Sequence, residues 1–163
     1  MTDENITILP PEVGRSEACE RILRELPKWF GIEESLLEYV EAAKTMPTLL
    51  AMDGEEAVGF LTINRHFPES AEVFCTGLLP SHHRRGIGSR MQAAAEEWLV
   101  ADDCRFLQVK TLAEEAENES YALTRKFYRA MGFAPLEMFP ELWDEWNPCL
   151  VLVKDLGLAP AAR

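Results

Sequence analysis

The sequence has no apolar run near the ~20 residues that a membrane-spanning helix needs, and its opening, MTDENITILPP, lacks the basic-then-apolar order of a secretion signal. Both absences point to a cytoplasmic protein with no membrane partner. The four cysteines, Cys19, Cys75, Cys104 and Cys149, contain no CxxC pair, which argues against a zinc site or disulfide framework and for buried reduced thiols. No metal is expected. Positive charge is scarce, with 16 Lys and Arg against 28 Asp and Glu and a formal charge of −12. Such a chain repels nucleic-acid phosphates and attracts cations, so nucleic acid is a poor partner and any anion must bind at a local site. Linkers and repeats are missing too, and 163 residues suit one domain, expected at 1–163 with its core at about 6–154 and a loose tail at 157–163.

What is present reads as alternating strands and helices. NITIL is a short strand. Ala18, Ile22, Leu23, Leu26 and Phe30 then recur at helical spacing over Ser16 to Trp29, with Pro27 as a break or kink near the end. Leu36, Leu37, Val40 and Ala43 mark a second helix from Glu33 to Lys44, stopped by Pro47. TLLAM, the Asp53-Gly54 turn and AVGFLTI form a hairpin, and AEVFCTGLL is a further strand. A helix over 88–100 buries Met91, Ala94, Ala95, Trp98 and Leu99, and RFLQVKTL returns to strand. After an acidic loop, AEEAENES, a helix over 120–131 has Leu123, Phe127, Ala130 and Met131 as its buried stripe and Gly132 as its C-cap. FAPLEMF and CLVLVK are the last strands. The order β-α-α-β-β-β-α-β-α-β-β predicts a mixed α/β fold.

Against the acidic background, LLPSHHRRGIGSR concentrates two histidines and three arginines around two glycines. Gly86 and Gly88 fall between the end of a strand at Leu79 and the start of a helix near Ser89, so loop amides and the helix dipole can converge on one phosphate. Arg84, Arg85 and Arg90 add positive potential, and glycine lets a diphosphate approach the backbone. The plainer alternative is a surface turn that only reverses the chain. A dinucleotide fingerprint fails because Met91 stands where a third small residue is needed, and a P-loop fails because Gly88 is followed by Ser89-Arg90 instead of Lys-Ser/Thr.

His83-Arg84-Arg85-Gly86-Ile87-Gly88 resembles the [QR]-x-x-G-x-[GA] loop of the GCN5-related N-acetyltransferases (GNATs), with His83 in place of Gln or Arg. EVFCTGLLP is similar to that family's fourth strand, and YALTRKFYRAMGF to its later helix. The likeness runs from about Ile6 to Lys154 and implies a mixed central sheet of about six to seven strands flanked by about four helices. It also implies acetyl-CoA as co-substrate, its diphosphate in the loop His83 to Ser89 and its pantetheine amides on the main chain of Gly77, Leu78 and Leu79. A homodimer is common in the family.

The implied chemistry is transfer of the acetyl group to a primary amine that attacks the thioester directly. It asks for a neutral amine, a donor to the developing oxyanion and a proton for the departing thiolate. Glu72, fourteen residues before Gly86, resembles the catalytic glutamate of the histone-acetylating branch, or is an exposed residue at a strand start. A main-chain N–H near Leu79 would serve the oxyanion. Tyr128 resembles the family's general acid, or is a packing aromatic beside Phe127. Elsewhere, His66 reads as a solvated loop residue, and His82 and His83 diverge too much to share a metal. Trp143, Asp144, Glu145 and Trp146 read as packing, or as contacts for an ammonium group. The acceptor is a small-molecule or peptide amine such as an aminoglycoside, a polyamine or a lysine side chain. A non-catalytic acyl-CoA-binding or sensing domain is the alternative function.

Overall fold

The computed structural model describes residues 5–157, so all of the expected tail except Gly157 lies outside the described residues. Seven strands of a mixed sheet and four α-helices follow one another in the expected order. They are β1 (Ile6–Glu12), α1 (Ser16–Leu23), α2 (Glu33–Ala42), β2 (Thr48–Asp53), β3 (Glu56–Phe67), β4 (Ser70–Leu78), α3 (Ile87–Ala101), β5 (Phe106–Leu112), α4 (Glu119–Ala130), β6 (Ala134–Asp144) and β7 (Asn147–Asp155). The chain divides into two compact units. One holds residues up to 64 with 73–102, and the other 65–72 with the residues from 103 onward.

In the first unit the strand order is β1-β2-β3-β4. The β1/β2 and β2/β3 pairs are antiparallel, with Ile8 opposite Ala51 and Leu50 opposite Phe60. Ala57 to Ile63 is buried at every position, which explains its largely apolar sequence: a strand covered on both faces has no polar side to alternate with, and the one hydroxyl, Thr62, is satisfied by Thr48 at 3.0 Å. α1 ends at Leu23, short of the expected Trp29. A proline at 27 would clash with the carbonyl at 23 and disfavours helical backbone at Leu26, so residues 24–30 continue as turns. Phe30 thereby leaves the helix and meets Tyr39 of α2 edge-on, and Tyr39 meets Phe74 of β4 the same way, both at 5.7 Å between ring centres. α3 packs on β1 and β2. Ile22, Leu23, Leu49, Phe60, Leu61, Ile87 and Leu99 are the fully buried centre of this unit, each side chain contributing roughly 1.5–3 kcal/mol by leaving water.

In the second unit the order is β5-β7-β6, all antiparallel, with Lys110 opposite Val151 and Phe139 opposite Cys149. The tip of the β3/β4 hairpin belongs here, so the segment NRHFPES is strand and tight turn where no element was expected. α4 lies against β5, held partly by Arg125, whose guanidinium donates to the Leu112 carbonyl at 2.7 Å. The expected stripe of α4 is displaced. Tyr128 is the buried residue of this helix, with Tyr121 and Arg125 half-buried, and Leu123 is 60 % exposed. β6 runs on to Asp144 and is exposed at almost every position. Trp143 and Trp146 are therefore surface residues, Trp146 at 76 % exposure, which removes the packing reading of the two tryptophans. Among the described residues no helix is long and apolar enough to cross a membrane.

Candidate active site

The loop that follows β4 builds a cradle from its own backbone. Arg84 and Gly86 both take left-handed conformations, at φ 61° and 74°, which turns successive N–H groups toward a common side. Gly86 is the N-cap of α3 and offers no side chain to cap it, and no acidic residue stands in the first turn. The amides of Ile87, Gly88 and Ser89 have no carbonyl inside the helix to bond. The first intrahelical bond of this turn is Arg90 N–H to Gly86 O at 3.1 Å. Free amides, the positive helix end and glycine backbone together suit an anionic oxygen cluster. A Cβ at Gly86 would meet nothing within 4 Å, so its positive φ and not crowding is what favours glycine there.

The side chains around the cradle do not all face it. Arg90 donates to the Ile6 carbonyl at 3.0 Å, tying α3 to β1, so its charge is directed away from the loop. His83, at the first position of the motif, donates from Nε2 to the Leu78 carbonyl at 2.7 Å, and its ring stands edge-on to Trp29 at 5.9 Å. It braces the end of β4. His82 is held between Asp53, 2.9 Å from Nε2, and Ser81, 2.8 Å from Nδ1. The N–H of Leu79 donates to Val58 O at 2.8 Å, so of the amides near Leu79 its own is already used inside the sheet. Gly77 and Leu78 are half-buried, whereas Ala71 to Val73 earlier on β4 are fully buried. A side chain at 77 would press on Leu26 and Phe60, each 3.0 Å from its Cβ, so glycine lets the turn after α1 and the Phe60 ring pack close to β4.

In the second unit Glu72 is neither exposed nor alone. Its carboxylate is 5 % exposed, and Oε1 accepts from His66 Nε2 at 2.8 Å, Gln108 Nε2 at 3.4 Å and Lys110 Nζ at 3.4 Å. Three donors answer the cost of burying the charge. His66 is thus a partner of Glu72 and not the solvated loop residue expected. No sequence signal pointed to this pairing: the two residues lie on facing strands of the β3/β4 hairpin, and only the side-chain bond joins them. Nearby, burial pushes the Cys149 thiol up to about 11, with Lys110 opposing the shift and Glu72 adding to it.

Tyr128 is 2 % exposed. Its ring is fixed by edge-on contacts with Phe127 and Phe133 at 5.2 and 5.3 Å. On the β6–β7 turn, Asp144 is committed to the backbone. Its Oδ1 accepts from the N–H groups of Trp146 and Asn147 at 2.8 Å. The Asn147 side chain, which also donates to it, and those backbone bonds hold its carboxyl below the usual range. Asp144 is therefore spent in shaping the turn that displays Trp143, Glu145 and Trp146.

Residues 16–133 match the Acetyltransferase (GNAT) family. No curated protein sequence matches the chain. Among solved structures, the chain is similar to a GNAT family acetyltransferase from Elizabethkingia anophelis with acetyl-CoA bound (TM-score 0.72, 15 % identity, 93 % of this chain and 99 % of that one). It is similar to the ribosomal-protein-S18-alanine N-acetyltransferase from Escherichia coli (0.75, 14 %, 97 % and 98 %). It is also similar to an aminoglycoside 6'-acetyltransferase type Ii (0.73, 18 %, 94 % and 99 %).

Proposed function

The chain belongs to the acetyltransferase (GNAT) family, and from that premise we propose that it transfers an acetyl group from acetyl-CoA to a primary amine. The observation that carries the reading is the backbone cradle at the head of α3, where Arg84 to Ser89 offer open amides and positive potential to a diphosphate. Main-chain groups of Gly77 and Leu78 are the half-exposed part of β4 proposed for the pantetheine amides, with the Leu78 carbonyl already accepting from His83 and the Leu79 carbonyl from the His82 N–H. Bound acetyl-CoA supplies the thioester whose carbonyl the amine attacks. Tyr128 is the proposed donor to the departing thiolate, its ring immobilised so that the hydroxyl keeps one position. Glu72 is the proposed anchor of amine deprotonation.

The acceptor is proposed to be cationic. The net charge of −12 draws cations, and Trp143, Glu145 and Trp146 offer exposed aromatic faces and a free carboxylate on the β6–β7 turn. The aminoglycoside and alanine named for the two structural relatives set the range to try. Four free cysteines support a reducing, cytoplasmic setting. Thiol release from acetyl-CoA, followed across kanamycin A, spermidine and a peptide with an N-terminal alanine, tests the proposal. Release that depends on one of these amines supports it; acetyl-CoA binding with no release for any amine transfers the chain to the acyl-CoA-binding alternative.

A further inference from the structure

The Glu72 carboxylate already accepts from three donors, and one of them is a second, more exposed base. His66 Nε2 lies 2.8 Å from Glu72 Oε1. A carboxylate only accepts, so Nε2 carries the ring proton and Nδ1 keeps its lone pair. The side chain of His66 is 35 % exposed against 5 % for Glu72, and its only hydrogen bond among the described residues is the one to Glu72. The ring is thus part-exposed with Nε2 fixed from behind, the carboxylate–imidazole arrangement by which an enzyme orients a general base. Of the charged groups around the pair, Lys110 of β5 shares the same carboxylate oxygen at 3.4 Å, and Arg65, next to His66 on β3, is turned onto the carbonyls of Phe67 and Pro68. No second carboxylate competes for His66 among the described residues.

We infer that His66 Nδ1, oriented by Glu72, takes the proton from the ammonium form of the acceptor. The inference rests on the acetyltransferase reading. In the balanced sequence the ammonium first loses a proton to Nδ1, giving an imidazolium held by the Glu72 carboxylate. The neutral nitrogen then forms the N–C bond as the C–S bond breaks. The nitrogen sheds one further proton on becoming an amide, the thiolate takes one up, and His66 returns its own to solvent. Glu72 is a positioning residue in this scheme.

Two measurements decide it. In acceptor-free protein labelled with ¹⁵N-histidine, NMR should find neutral His66 as the Nε2–H tautomer; the Nδ1–H tautomer would overturn the pairing whether or not an acceptor is known. With the most active amine of the panel, His66→Ala should lose ~10²–10³-fold in turnover at unchanged acetyl-CoA affinity, and added imidazole should restore part of the rate. Parental turnover in His66→Ala, or a slow variant that binds acetyl-CoA yet gains nothing from imidazole, contradicts the inference. If the alanine variant does not fold, His66→Gln repeats the test with a side chain that can still reach Glu72. A parent that releases no thiol with any amine counts against the acetyltransferase reading, and the tautomer result stands apart from it.

Discussion

The imidazole of His83 donates a 2.7 Å hydrogen bond to the carbonyl of Leu78, so the first residue of the phosphate loop closes back on the last residue of β4. That contact fixes where the strand stops and the cradle begins. His83→Ala leaves the carbonyl without its donor, a net loss of about 0.5–1.5 kcal/mol. If the energy is felt in cofactor binding, acetyl-CoA should bind roughly 3- to 10-fold more weakly. Isothermal titration of parent and variant measures it, and equal affinities would make the bond irrelevant to binding.

The cradle itself is tested by bulk at Gly88. Acetyl-CoA at ~100 times its dissociation constant should stabilise the parent by about 2.7 kcal/mol and raise Tm by roughly 5–10 °C. Gly88→Val should abolish the rise by holding the diphosphate off the backbone. Arg84→Ala should shrink the rise and make it less dependent on salt. A full shift in both variants would reduce the loop to a turn.

Tyr128 is judged by its hydroxyl alone. Tyr128→Phe keeps the ring contacts with Phe127 and Phe133 and removes the proton donor. Turnover should fall by ~10² to 10⁴ while Tm and acetyl-CoA affinity hold. An unchanged rate would leave Tyr128 as a core aromatic.

The buried thiols make a pH prediction. Burial pushes Cys19 up to about 12, with Thr62 and Arg15 opposing, and Cys149 up to about 11. A raised folded pKa means the unfolded chain releases its proton first, so stability is complete below the unfolded value near 8.5 and is lost as pH rises toward the folded one. Tm should fall between about pH 9 and 11, and less steeply in Cys149→Ala. A slope unaffected by that substitution would count against the assignment.

Most of the fold could be read from apolar spacing, because helices and strands bury regular faces; the order of all eleven elements follows from it. Two kinds of feature escaped. Pro27 was legible as a break, but its effect reaches back four residues to Leu23, and the turns beyond it are set by tertiary contacts of Phe30 and Trp29. The exposed β6 carries Leu136, Leu142 and Trp143 outward and the turn after it carries Trp146, and no periodicity separates a buried aromatic from one displayed at a sheet edge. The cradle glycines were legible since backbone freedom is a property of residue type. His66 was not, because its meaning lies in a partner across a hairpin whose polar end has no apolar signature.

The central claim, acetyl transfer from acetyl-CoA to an amine, is tested most directly by a single-turnover experiment with [¹⁴C]acetyl-CoA and the most active acceptor. The account predicts label in an amide of the acceptor, matched by an equal amount of free thiol and dependent on the protein. Label that remains on CoA, or that appears as acetate with the amine untouched, would contradict it.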